Sequence, residues 1–235
     1  MTQDKWCFHH IPKTAGTSLQ LRISHREWAK ELDPGSTLVV SPLGSHITMY
    51  RVKNDPQFDP HKPFKQALKR HQDRQTQGSA RIVMGHLTTV AQQGKHVTWI
   101  RHPLDRDLSH HRYDMNNYSN INPDPQKHLS SIEGDFLFTW LWSRYMGRKG
   151  GANSKDHAFE QVLDTLDRME RVFLHSDFES SWEWIAQKIN VSVEPRLNTN
   201  VSTSKHNQDS RLSVWHKKHN PYDYKIWEYV QKFKL

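Results

Sequence analysis

Short apolar runs alternate along the chain with longer stretches in which apolar residues recur every three or four positions, a pattern that predicts strands alternating with helices. Strands are expected at 5–10, 37–41, 80–85, 96–100 and 171–175, and helices at 17–32, 62–76, 103–117, 132–147, 156–169, 177–189 and 221–233. Alternation of this kind implies an α/β fold, three layers α/β/α around a central and mostly parallel sheet. Pro221 suits the first turn of the last helix, with Asn220 as its cap. The stretches 118–130 and 148–155, rich in Asn, Pro, Gly and Lys, read as loops, and no repeat or low-complexity tract interrupts the pattern.

A length of 235 residues predicts a single domain, 1–235, large enough for a sheet covered on both faces. An apolar fraction of 34% and a mean hydropathy of −0.89 are low for such a core. Nine Trp, nine Phe and seven Tyr make up the difference, so the core is expected to be rich in aromatic side chains. Cys7 is the sole cysteine, which excludes an intramolecular disulfide and predicts a buried thiol in a reducing compartment. The chain enters its first strand almost at once, with no apolar signal region and no run of about 18 apolar residues, so a cytoplasmic protein without a membrane span is expected. A net charge of +8 points to an anionic partner.

Two segments carry the candidate chemistry. Residues 8–18, Phe-His-His-Ile-Pro-Lys-Thr-Ala-Gly-Thr-Ser, run from a strand into a loop and then a helix. Lys13, Thr14, Gly16, Thr17 and Ser18 in such a turn suit a phosphate, because backbone N–H groups and the positive end of a helix dipole converge there. Lys13 stands before Gly16, not after a second glycine as in the usual nucleotide loop, which argues against an ordinary ATPase. Taken by themselves, Gly16 to Ser18 fit equally well an ordinary helix start capped by Thr17. The second segment is the strand His96–Ile100 followed by Arg101-His-Pro-Leu-Asp-Arg-Asp-Leu-Ser-His-His-Arg-Tyr113. A kinase or GTPase would usually end its second diagnostic strand in a Mg²⁺-binding Asp; here the strand ends in Arg101, a fixed cation suited to bidentate phosphate contact. Asp105 and Ser109, four residues apart, share one helix face with Arg101 at its mouth.

These two segments resemble the nucleotide signatures of sulfotransferases that use 3′-phosphoadenosine 5′-phosphosulfate (PAPS). "HIPKTAGTSL" is similar to the family's 5′-phosphosulfate loop and "RHPLDRDLSHHRY" to its 3′-phosphate signature, with wording nearest to the carbohydrate O-sulfotransferases of the heparan and chondroitin type and looser similarity to the cytosolic enzymes. Phe173 to Ser181, and Asn200 to Ser202 with Tyr222 and Asp223, are similar to further family segments, whereas 45–80 and 117–155 match little. The resemblance implies the P-loop-like sulfotransferase fold and PAPS as donor, without metal. It also implies that Lys13 contacts the phosphosulfate bridge, that Thr14, Ala15, Gly16, Thr17 and Ser18 wrap the 5′-phosphate, and that Arg101 and Ser109 hold the 3′-phosphate. Lys205 falls where relatives close a C-terminal loop over the nucleotide.

Transfer to a hydroxyl needs a proton acceptor near Lys13. His86 follows the apolar run Ala80 to Gly85, at the edge where α/β proteins place their sites, and "RIVMGHL" resembles the family segment that carries a catalytic histidine. His10, before the loop, and Glu27 or Glu31 on the first helix stand as alternatives. The function expected is transfer of a sulfonate group from PAPS to a hydroxyl of a carbohydrate or other small compound, with an anionic glycan suited to the basic charge. A P-loop kinase of a small molecule is the alternative, but it leaves Arg101 to Ser109 unexplained. A nucleic-acid-binding protein ranks last, since the basic residues are interleaved with 25 acidic ones and no reader motif is present.

Overall fold

The computed structural model describes residues 4–14, 18–19, 22, 38–40, 82–85, 88, 90, 93–145, 153–190 and 210–233. Five strands, β1 (Trp6–His9), β2 (Leu38–Val40), β3 (Ile82–Gly85), β4 (Lys95–Ile100) and β5 (Arg171–Leu174), form one sheet in the order β2-β3-β1-β4-β5. Each pairing is parallel; Trp6 lies opposite Ile82 on one side and Lys95 on the other. All five expected strands are present, shortened or shifted by a residue or two at their ends.

The described helices are α1 (Pro103–Asn117), α2 (Pro125–Ser130), α3 (Phe136–Tyr145), α4 (Lys155–Asp167), α5 (Phe178–Ile189), α6 (Ser210–His219) and α7 (Pro221–Phe233). The bounds of α1 and α7 are those expected from the sequence. Ser18, Leu19 and Arg22 are helical, while the rest of the helix expected at 17–32 and all of that at 62–76 lie outside the described residues. Two helices depart from the expectation. The stretch 118–130, read as a loop, contains α2, which starts where Asp124 accepts hydrogen bonds from the Gln126 and Lys127 amides and Pro125 fills the first turn. The pattern was silent over α6 because its one fully buried side chain is an imidazole, His216, so no apolar stripe marks it.

Side chains alternating along the strands supply two cores, one on each face of the sheet. On one face Trp6, Phe8, Val97 and Trp99 pack against Trp182, Ile185 and Ala186 of α5, with Phe173 and Phe178 beside them. Trp99 and Phe173 stack at 5.8 Å, and the Trp99 indole N–H donates to Ser181 Oγ at 2.8 Å, so this large ring is buried with its polar atom satisfied. On the other face Ile100, Val172 and Leu174 meet α3, α4 and α7 through residues such as Trp140, Val162, Ile226 and Val230. Helices on both sides of a parallel sheet make the three expected layers. Cys7 is buried, and burial pushes its thiol up to about 11.

The helices of the second face are locked by reciprocal caps. Asp223, in the first turn of α7, accepts from the Leu137 and Phe138 amides at the start of α3 at 2.9 and 2.7 Å. Asp135, just before α3, accepts from the Tyr222 and Asp223 amides at the start of α7 at 2.8 and 3.2 Å. Each carboxyl group thereby satisfies two of the amides that a helix leaves open at its N-terminus. The close approach requires Gly134, where a methyl group would overlap the His219 carbonyl oxygen.

Asp223→Ala should leave two buried amides without acceptors and cost about 2–4 kcal/mol of stability in urea unfolding. Burial pushes the Asp223 carboxyl from its ordinary 3.8 up to about 7, against the pull of the two amides and of Arg106. Charging it therefore opposes folding: its contribution to stability is full below the unfolded value and is lost as pH rises through 7, so the Asp223→Ala protein should lack that part of the decline.

Candidate functional site

The strand order creates the site. From β1 the chain proceeds to β2 at one edge of the sheet, and from β4 it proceeds to β5 at the other, so the carboxyl ends of the adjacent strands β1 and β4 mark the point where the strand order reverses, the place at which α/β sheets bind ligands. Both segments singled out in the sequence start there: residues 10–14 leave β1, and Arg101 follows β4. The Arg101 guanidinium donates from Nη1 to the Lys13 carbonyl oxygen at 3.2 Å, which joins them.

Lys13 adopts a φ of 69°, the left-handed region that turns the chain sharply at the head of the loop. Thr14 closes that turn, its amide and Oγ1 both donating to the Ile11 carbonyl at 3.3 and 2.9 Å. Beyond it Arg22 is buried, pairs with both Glu179 oxygens at 2.8 and 2.9 Å, and lies over the Phe178 and Trp182 rings, fastening the chain after the loop to α5. Behind the loop His9 Nε2 and His96 Nδ1 are 2.8 Å apart, linking the end of β1 to β4. Burial, before the neighbouring His96, holds His9 well below the ordinary histidine value, so the His9 imidazole stays neutral.

Arg101 stands at the mouth of α1, with His102 at the cap position, Pro103 in the first turn and Asp105 close enough to favour its charge. Ser109 is one turn beyond Asp105 and half-buried. The side chain of Lys13 runs toward the same helix, its Nζ 4.6 Å from the centre of the Tyr113 ring. Burial lowers the Lys13 amine from 10.5, Arg101 is the next cause, Asp114 opposes the shift, and Arg112 and Arg106 add to it. Arg101 is itself lowered by burial and by Arg112 and Arg106. Half-buried cations that repel one another form a site that suits an anion, and the residues present fit a phosphate-bearing group. Among the described residues no group of three or more His, Cys, Asp or Glu is placed to hold a metal ion, and no helix is long and apolar enough to cross a membrane.

Of the residues expected at the site, Lys13, Thr14 and Arg101 are brought together; Ser18 is helical and Ser109 lies on α1. His10 is buried directly after β1. Ala15, Gly16, Thr17, Glu27, Glu31, His86 and Lys205 lie outside the described residues. Arg106 is buried against Asp107 and over the Phe136 ring, and Asp107 also bonds His216 Nε2 at 2.9 Å, so this arginine braces α1 against α3 and α6. Sequence reasoning missed His110, Tyr113 and Asp114. Their spacing from Arg106, four, seven and eight residues, marks one helix face and was the signal available.

No protein-family model matches the chain, and no curated protein matches it. Among solved structures it is similar to the sulfotransferase from Alicyclobacillus acidocaldarius, at 13% identity over 96% of each chain and a TM-score of 0.49. It is also similar to mouse sulfotransferase SULT7A1 complexed with PAP, at 13% identity over 95% of this chain and 66% of that one and a TM-score of 0.40. The architecture described above is defined by this chain's own strand order and register, independently of either neighbour.

Burial, ahead of Arg106 and Lys13, lowers His110 to about 3, and burial, ahead of Arg101, lowers His175 to about 4. Both imidazoles should stay neutral from pH 8 to pH 5 in a heteronuclear NMR titration. In Arg101→Ala the value of His175 should rise, because a neighbouring cation is gone, and that of His110 should not follow it.

Proposed function

We propose that the chain transfers the sulfonate group of PAPS to a hydroxyl group of an acceptor in one in-line displacement, acting as a single catalytic domain. The observation that best supports this reading is the convergence of Lys13 and Arg101, two half-buried cations, at the adjacent carboxyl ends of β1 and β4. The likeness of both segments to sulfotransferase signatures adds the identity of the anion. When bound, PAPS supplies a sulfonate activated by its phosphate leaving group.

Each residue then has a role. Arg101 and Ser109 bind the 3′-phosphate, and Thr14 to Ser18 receive the 5′-phosphate. Lys13 meets the negative charge that develops on the bridging oxygen, a fixed cation being worth most where it needs no reorganisation. His86 takes the proton of the acceptor hydroxyl, and Lys205 contacts the nucleotide from the C-terminal segment. The net charge of +8 suits an anionic acceptor such as a sulfated or uronic-acid glycan, with a neutral carbohydrate or small alcohol using the same chemistry.

Calorimetric titration with 3′-phosphoadenosine 5′-phosphate (PAP), beside Mg-ATP and beside AMP, tests the reading. PAP should bind without metal and more tightly than AMP, and Arg101→Ala should lose about tenfold or more of that affinity. Preference for Mg-ATP would overturn the proposal in favour of a kinase. His86→Ala should leave PAP affinity unchanged and lower turnover on an identified acceptor by about a hundredfold, read in a sulfate-transfer assay.

A further inference from the structure

Leu19 and Arg22 follow the loop that leaves β1, and the scheme above gives neither a part in binding. Resting on the sulfotransferase reading, we propose that Arg22, paired with Glu179, is a positioning residue for the 5′-phosphate: the pair sets the helical segment that carries Ser18 in one orientation against α5, so that Ser18 and the loop before it meet the phosphate already ordered.

Three observations carry the inference. First, the pair is directional. Arg22 Nη2 donates to both Glu179 carboxylate oxygens, at 2.8 and 2.9 Å, and the guanidinium lies 5.0 Å from the centre of the Phe178 ring and 5.6 Å from that of Trp182, so α5 holds it at a carboxylate and at two aromatic faces. Second, the partner is itself fixed. Phe178 and Ser181, on either side of Glu179 in the first turn of α5, both meet Trp99 of β4: the Phe178 ring at 6.3 Å, and Ser181 Oγ by accepting from the indole N–H at 2.8 Å. Trp99 stands two residues before Arg101, so the start of α5 is tied to the strand that leads to the 3′-phosphate residue, and the pair passes that placement to the loop. Third, the pair supplies what the apolar contact beside it does not. Ser18 and Leu19 are four and three residues before Arg22 on the same side of the helical segment. Leu19 is buried in the same cluster as Trp182 and Ile185, a contact that draws the segment to α5 without fixing its rotation, because apolar burial is non-directional. The Arg22 side chain is 5% exposed, and an arginine buried with one carboxylate gains little stability over apolar residues of similar size. What it contributes is orientation.

Calorimetric titration with PAP and with AMP, which share the 5′-phosphate and differ in the 3′-phosphate, reads this role in a double variant, Arg22→Met with Glu179→Met, where apolar side chains of similar length replace the pair. The double variant should unfold in urea close to the wild type. Its affinities for PAP and for AMP should fall by the same factor, about tenfold, and leave the preference for PAP over AMP unchanged, whereas Arg101→Ala should lower that preference. Without nucleotide the Ser18 and Leu19 amides should exchange with solvent faster in the double variant than in the wild type, and saturation with PAP should restore their protection. Unchanged AMP affinity in the folded double variant, or a loss confined to PAP, overturns the proposal. If the double variant does not fold, Glu179→Gln, a change at a half-exposed side chain, must lower both affinities together or the proposal fails. A wild type that binds neither nucleotide rejects the sulfotransferase reading and this role with it, whereas wild-type binding with unaltered affinities in the variants rejects the role of Arg22 alone.

Discussion

Positive charge withdrawn from water beside other positive charge is unfavourable, and a fold tolerates it only where something is gained in return. Lys13 and Arg101 are placed so by the backbone itself: parallel pairing of β1 with β4 sets the ends of both strands side by side, and the hydrogen bond from Arg101 to the Lys13 carbonyl fixes the loop against the helix start. In this arrangement burial and Arg101 lower the Lys13 amine, and burial with Arg112 and Arg106 lowers Arg101. The rest of the described architecture serves to hold that unfavourable arrangement still. The Arg22–Glu179 pair fastens one side of the loop, the His9–His96 pair its rear, and the buried Arg106–Asp107–His216 chain braces the helix opposite.

Most of the framework was legible in the sequence because it depends on local pattern. The strands reveal themselves by short apolar runs, and α1 and α7 by proline in the first turn followed by a regular apolar period. Where a polar group does the packing, that signal disappears. In α6 the buried contact is His216, bonded to Asp107 and to the Tyr224 hydroxyl, and no scale of hydrophobicity marks such a helix. Similarly, α2 is short and is announced only by Asp124 with Pro125, a pair that reads equally well as a turn.

The site divides along the same line. Lys13, Thr14 and Arg101 stand out in the sequence because they occur in segments whose order of residues is unusual in itself. Tyr113 does not stand out because its place beside Lys13 arises from a tertiary contact between a lysine and a helix about a hundred residues away in sequence, which spacing within either segment does not express. Arg106, two turns before Tyr113 on the same helix, has its guanidinium buried against Asp107 and the Phe136 ring, so it packs the helix against its neighbours.

The exchanged caps of α3 and α7 bear on how the chain acquires its structure. The Phe138 amide and the Asp223 carboxyl that receives it are 85 residues apart. While the chain is being synthesised, α3 emerges with its first amides open to water and with its own Asp135 directed at a partner that does not yet exist. Closing so large a loop is slow relative to forming either helix. The two helix starts are consequently completed in one late event, and the second face of the sheet becomes ordered as a cooperative unit when α7 arrives.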